Sequence, residues 1–264
     1  MKLPIRTFAN LSAVAVLAAA ASTAQAAVCD LTAESSCVIN TIYGPAIFTT
    51  DFTRPAGTGV IDPFLSIQAN GTEQGYNTSA KQGVFDTKRE PKWNHELRLS
   101  DLATVTIEGV DYYSFVIDIN EPNSTDKSMI SIDAIKIFSS PKAGQTTKNV
   151  ESLGVKRFDL DLPEDSYIKY NDLNSGSGQG DIAFFIPTAA FLSGPNPVKS
   201  TDYIYMYQKF GASIAADSTL TTQGGFEETF IGRGVVPIPE VSAVLPLSGV
   251  VLLAVGAYRR RRAL

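Results

Sequence analysis

Histidine, cysteine and tryptophan are almost missing from this chain: one His, two Cys and one Trp in 264 residues. A single histidine, His95, rules out multi-histidine metal centres, and no Ser-His-Asp or Cys-His pattern is readable around it. It is read as a structural residue beside Trp93. The two cysteines form no C-x-x-C pair, so a cysteine metal site has no support. Basic residues are scarce inside the chain. Setting aside Lys2, Arg6 and Arg259 to Arg262 leaves 16 basic residues against 26 acidic ones between Ala27 and Pro239, a body charge near −10. Such a surface repels nucleic acid and anionic lipid. The glycine-rich stretch "NDLNSGSGQGD" has no lysine, which excludes a phosphate-binding P-loop. A long apolar pattern of period 3.6 is also missing, which argues against a helical core.

What is present concentrates at the two ends. The start, "MKLPIRTFANLSAVAVLAAAASTAQA", places Lys2 and Arg6 before an apolar run from Leu11 to Ala21. Ala24-Gln25-Ala26 then fits a small-x-small cleavage site, so residues 1–26 read as a signal peptide cut between Ala26 and Ala27. A membrane anchor or buried helix fits less well, because the run is short and a cleavage site follows at once. Cys29 lacks the leucine and small residue expected before a lipoprotein cysteine. In an exported chain, an even pair such as Cys29 and Cys37 points to a disulfide.

At the other end, residues 241–258 run without a charge before Arg259, Arg260, Arg261 and Arg262. Eighteen residues is near the lower limit for a helix crossing a ~30 Å hydrocarbon core. Pro246, Gly249 and Gly256 make that helix marginal. The arginines would stay on the cytoplasmic side, leaving the body outside. A buried core helix is the competing reading, and four terminal arginines argue against it.

This tail resembles the PEP-CTERM sorting signal of Gram-negative bacteria: a short proline motif, one apolar helix and an arginine cluster. The resemblance implies recognition by an exosortase, a membrane protease-transpeptidase, transient retention in the inner membrane, and then release or attachment at the cell surface. Val236, Pro237, Pro239 and Glu240 occupy the motif region, with Pro237-Ile238-Pro239-Glu240 where the family has Pro-Glu-Pro.

Between the ends, short runs of period-two alternation dominate. "YYSFVIDI" and "MISIDAIKIF" are the strongest, joined by "AIFTTDF", "FLSIQ", "ELRLSDL", "TVTIEG", "SYIKY", "DIAFFIP", "YIYMYQKFG" and "FEETFIG". Turn chemistry separates them, as at Glu121-Pro122-Asn123 and Gly194-Pro195-Asn196-Pro197. Some ten to twelve strands predict an all-β fold: one jelly-roll-like β-sandwich over residues 27–234, followed by the sorting tail over 235–264. Gly75 to Thr78, Asp118 to Glu121 and Gly225 to Glu228 are similar to segments recurring in PEP-CTERM ectodomains. That similarity implies a surface or extracellular sandwich of exopolysaccharide-producing bacteria and carries no reaction.

Candidate sites are sparse. "DINEPNSTD" offers Asp118, Asn120, Glu121, Asn123 and Asp126. Asp118, Asn120, Asn123 and Asp126 form an oxygen set that suits Ca²⁺, although the spacing is not that of an EF-hand. The preferred alternative is a polar hairpin loop whose side chains cap turns. Asp172, Asn174 and Asp181 around the glycine-rich turn offer a second Ca²⁺ loop or a backbone nest for an anion, with a flexible hairpin connection as the preferred alternative. The sequons at Asn70, Asn77 and Asn123 read as turns. Tyr203, Tyr205 and Tyr207 share one strand face, either core or an exposed platform for sugar stacking. A two-carboxylate glycosidase pair can come from any of the 26 acidic residues. The expectation is therefore a non-enzymatic, exported surface or matrix protein that binds polysaccharide or matrix components and needs no resident cofactor. The alternative is a secreted carbohydrate-active enzyme on the same fold.

Overall fold

The computed structural model describes residues 27–53, 62–122, 124, 127–173, 180–212 and 217–238. Ala26, Asn123, Asp126, Asn174, Pro239, Glu240 and the 241–258 run with Arg259 to Arg262 lie outside the described residues. No helix among the described residues is long and apolar enough to cross a membrane.

Two seven-stranded sheets pack face to face. With strands numbered in chain order, the first sheet runs β1 (Ala27–Asp30), β12 (Ser166–Asn171), β10 (Met129–Ser140), β14 (Tyr203–Phe210), β6 (Glu73–Tyr76). In the same sheet β11 (Val155–Asp159) pairs with β10, and β7 (Leu97–Arg98) with β14. The second sheet runs β2 (Ser36–Thr41), β3 (Gly44–Thr49), β13 (Ile182–Pro187), β9 (Val110–Asp118), β16 (Glu227–Ile231), β4 (Pro63–Ile67), and β8 (Ala103–Ile107) pairs with β9. A two-stranded ribbon, β5 (Asn70–Gly71) with β15 (Thr222–Gln223), lies apart from both. All pairings are antiparallel except β1 with β12.

Alternation fills three layers. Between the sheets lie Phe115 and Ile117 of β9, Phe184 and Ile186 of β13, and Ile204 and Met206 of β14, all buried. In β10 the register shifts between Ile132 and Ala134. This one-residue slip puts Ile130, Ile132, Ile135 and Ile137 on the core face together. The opposite faces are covered too. Tyr112, Val116, Phe185 and Phe230 form one outer cluster, and Tyr76, Phe138, Tyr205 and Tyr207 another.

The second outer cluster decides the tyrosine question. Tyr205 and Tyr207 are buried and Tyr203 half-buried, beneath Val84, Phe85, Val150 and Leu153. Their hydroxyls donate inward, from Tyr205 to the Lys142 carbonyl at 2.7 Å and from Tyr207 to Gln74 Oε1 at 2.7 Å. The face is a packed layer, not an exposed platform. "ELRLSDL" also departs from its alternation. Only Leu97–Arg98 is strand, because Asp101 Oδ2 accepts the Arg98 N–H at 2.7 Å and folds 99–101 into a 3₁₀ turn.

Cys29 and Cys37 form the expected disulfide, with Cα atoms 5.8 Å apart. Cys29 belongs to β1 of the first sheet and Cys37 to β2 of the second, so the bond staples the two sheets at one edge. Closing so short a loop limits the unfolded chain by roughly 2–3 kcal/mol. Reduction, or Cys29→Ser with Cys37→Ser, is expected to lower Tm by about 5–9 °C in a thermal melt. An unchanged melt would mean that the bond restrains nothing.

Candidate functional site

The acidic residues of the two polar loops meet at one end of the sandwich. Asp118 ends β9 and Asp172 follows β12, while Asp181 precedes β13. Asp118 Oδ1 accepts the Gly180 N–H at 3.3 Å, and Asp181 Oδ2 accepts the Ile119 N–H at 2.8 Å. Asp172 Oδ2 accepts the Glu121 N–H at 3.0 Å, and the Tyr170 hydroxyl reaches Asp181 Oδ1 at 3.2 Å. These bonds tie the loop after β9 to the segments that follow β12 and precede β13. What read as two separate loops is one cluster.

Two glutamates that sequence reasoning passed over complete it. Glu73 opens β6 in the first sheet, and Glu227 opens β16 in the second. Residue exposures are 0% for Glu73, 1% for Glu227, 1% for Asp172 and 3% for Glu121. Glu73 Oε2 accepts the Ala69 N–H at 2.7 Å, and both Glu121 oxygens accept the Gln223 N–H, at 3.0 and 2.8 Å. Through these two amides the cluster holds both strands of the β5–β15 ribbon. Glu73 Oε1, Asp172 Oδ1 and both oxygens of Glu227 are buried without a hydrogen-bond donor.

Burial dominates the electrostatics. It pushes the Glu121 carboxyl up to about 7, helped by the charges of Glu73 and Asp172. Asp172 is pushed up to about 6 by burial and then by Asp118, and Asp181 likewise to about 6 by burial, Asp172 and Asp118. Burial raises Glu227 well above the ordinary carboxylate range, with Glu73 and Glu121 adding to it. The one signal in the sequence was a glutamate on an inward strand face: Glu227 shares the period of Thr229, which is fully buried.

Of the four expected Ca²⁺ ligands, Asp118 and Asn120 are described. Asn120 Nδ2 donates to Asp118 Oδ2 at 3.3 Å and to the Phe226 carbonyl at 2.7 Å. The amide therefore joins β9 to the start of β16. Among the described residues, no group of three or more His, Cys, Asp or Glu is arranged to hold a metal ion.

Asn77, read from sequence as a turn residue, is fully buried. Its Nδ2 donates to the His95 and Ile204 carbonyls, both at 3.0 Å, and its Oδ1 accepts the Met206 N–H at 2.6 Å. Two of these bonds splice the segment after β6 onto β14, and the third ties it to the segment before β7. Each of the three segments singled out by resemblance thus makes a cross-link within the fold.

The surface carries a different arrangement. A recess of about 310 Å³ is lined by Asp62, Phe64, His95, Leu97, Asp101, Phe230, Ile231 and Arg233. His95 Nδ1 lies 3.1 Å from the Pro91 carbonyl, which can only accept, so Nδ1 is the donor of that contact. Arg233 Nη2 donates to the Asp101 carbonyl at 2.9 Å. Carboxylate, imidazole and guanidinium groups thus ring a partly apolar floor, a combination suited to a hydroxyl-rich ligand.

The folded body continues past residue 234. Val235 is buried in an outer cluster. Val236 and Thr53 exchange two hydrogen bonds of 2.9 Å, Pro237 bridges Phe52, and the Ile238 N–H donates to the Asp51 carbonyl at 3.0 Å. Val236 and Pro237, the first two residues of the expected sorting motif, are therefore laid along residues 51–53. No protein-family model matches the chain, and neither a curated protein nor a solved structure does.

Proposed function

We propose that this is an exported, non-catalytic protein of the bacterial cell surface or matrix, whose sandwich binds polysaccharide or other matrix components. The observation that carries this reading is where the acids lie. Among the described residues, an acidic cluster is buried at one end of the sandwich, at 0–3% exposure for Glu73, Glu121, Asp172 and Glu227, out of reach of a polymer. A recess with both polar and apolar walls opens outward around His95 and Arg233. The disulfide favours an oxidising, extracytoplasmic compartment. The sandwich is read as jelly-roll-like because β12, β13, β14 and β16 alternate between the sheets. Residues 1–26 act as the signal peptide. The tail from Pro239 to Arg262 acts as the PEP-CTERM-like address, with an exosortase-like membrane protease and the inner membrane as transient partners.

One specific observation favours the alternative, a secreted carbohydrate-active enzyme: Asp62 and Asp101 line the same recess. Two carboxylates across one sugar unit are the minimum for glycoside hydrolysis.

The deciding experiment fractionates cells with and without the sortase and determines the mature C-terminus by mass spectrometry. Loss of the arginine tail only when the sortase is present is expected. Changing Arg259 to Arg262 to Glu should block that trimming; unchanged trimming in the variant would refute the sorting role. The released protein should bind the host's exopolysaccharide without shortening it, and chain cleavage abolished by Asp62→Asn would favour the enzyme.

A further inference from the structure

We propose that Glu227 and Glu73 share one proton and so latch the two sheets together at the acidic end, and that losing this proton releases the β5–β15 ribbon. The two side chains come from opposite sheets, Glu73 from β6 and Glu227 from β16, both are buried, and each acts on the other's carboxyl. Neither oxygen of Glu227 has a donor among the described residues, and Glu73 Oε1 has none either. An ionised carboxylate buried with no partner costs several kcal/mol, so such a group takes a proton or a cation. Two carboxyls in contact hold one proton between them, because both cannot ionise at that separation. Glu227 O–H then donates to Glu73 Oε1, the oxygen that Ala69 leaves open.

Among the described residues, the charges acting on the pair are acidic: Asp86 on Glu73, from the loop after β6, and Glu121 on Glu227, from the loop after β9. Behind Glu121 stands Asp172, and behind that Asp118 and Asp181. Lys88 is close in space to β16, but it pairs with Glu228 at 3.4 Å. Residue 228 points to the face opposite residue 227. Burial first, and then Glu73 and Glu121, hold the Glu227 proton well beyond the usual carboxylate range.

Removing the proton leaves two anions facing each other in a sealed seam, with a third carboxylate beside them. The seam relieves this by admitting water. Glu73 and Glu121 are also the acceptors for the Ala69 and Gln223 amides, so the ribbon is what comes loose. Acid closes this end of the sandwich and base opens it.

The test is amide hydrogen exchange on the mature chain at about pH 5 and about pH 8, corrected for intrinsic exchange. Protection at Ala69 and Gln223 should fall about tenfold or more in the wild type, the equivalent of one pKa unit. In Glu227→Gln, which keeps a donor towards Glu73 without a charge, the fall should be at least about threefold smaller than in the wild type, the remainder coming from Glu121, which still titrates beside Gln223. If that variant does not fold, Glu73→Gln should show the same reduced response. Equal losses in variant and wild type would overturn the latch, and so would a wild type indifferent to pH. A third overturning result is calcium chloride restoring wild-type protection at pH 8, which would make the cluster a cation site instead.

Discussion

Thermal unfolding of the mature protein should occur at its highest temperature near pH 5 and shift downward by about 10 °C on going to pH 8. Four carboxyls outside the Glu73–Glu227 pair set this direction. Burial, followed by neighbouring carboxylates, pushes Glu121 up to about 7 and Asp172 and Asp181 up to about 6. Asp161 rises to about 6, from burial first and the charge of Asp159 second. Each has a folded pKa above its unfolded value, so each takes up a proton on folding. Its contribution is complete below the unfolded value, near 4, and is lost as pH climbs through 6 to 7.

The acid side is limited by Glu96. There burial, which works against ionisation, is outweighed by hydrogen bonds from Ser79 and Gly144, and the net shift is downward. Glu96 therefore stabilises above its ordinary range and stops doing so as pH falls. The opposing slopes place the maximum near pH 5. One pKa unit corresponds to about 1.4 kcal/mol. The raised groups repel one another, so their shifts do not add, and the net loss is on the order of 3 kcal/mol. At about 2–4 °C per kcal/mol for a domain of this size, that gives the stated shift. Calorimetry across the range checks it; a Tm that climbs from pH 5 to pH 8 would mean that these carboxyls are ionised and satisfied in the folded protein.

The strands that carried both alternation and β-branched or aromatic residues, such as β9, β10, β13 and β14, were readable because a half-buried strand imposes period two on its own sequence. β6, "EQGY", was not readable, since a short polar strand held by Tyr207 and Gln208 of β14 owes its state to a distant partner. The same applies to the tyrosines. Alternation put Tyr203, Tyr205 and Tyr207 on one face. Whether that face met solvent depended on Val84, Phe85, Val150 and Leu153, which lie fifty or more positions earlier in the chain. The acidic cluster was half legible. Its loop members stood out by composition, and their convergence did not, because Glu73, Asp118, Asp172 and Glu227 come together only through a sheet order that skips along the sequence. An acid at an inward strand position, as at Glu227, is the pattern to look for.

Gly225→Ala should be the most damaging of the small substitutions at this end. A methyl group at residue 225 would run into the carbonyl oxygen and carbon of Asn120. Those are backbone atoms at the end of β9 and cannot swing aside as a side-chain tip could. The neighbouring hydrogen bond makes retreat harder, because Asn120 Nδ2 grips the Phe226 carbonyl at 2.7 Å. The start of β16 would have to lift from β9, pulling Glu227 off Glu73. Overpacking against fixed backbone costs on the order of 3 kcal/mol, or about 10 °C in Tm. Gly144→Ala is the comparison. Gly144 has φ +60° with open space around it, so alanine there meets left-handed strain alone, about 1 kcal/mol. Circular dichroism melts of the two variants separate packing from backbone strain. They also bear on why Gly225 to Glu228 has its particular residues. If the segment exists to press two strands together, stability collapses in Gly225→Ala. If it exists to touch a ligand, the variant melts with the wild type and loses binding alone.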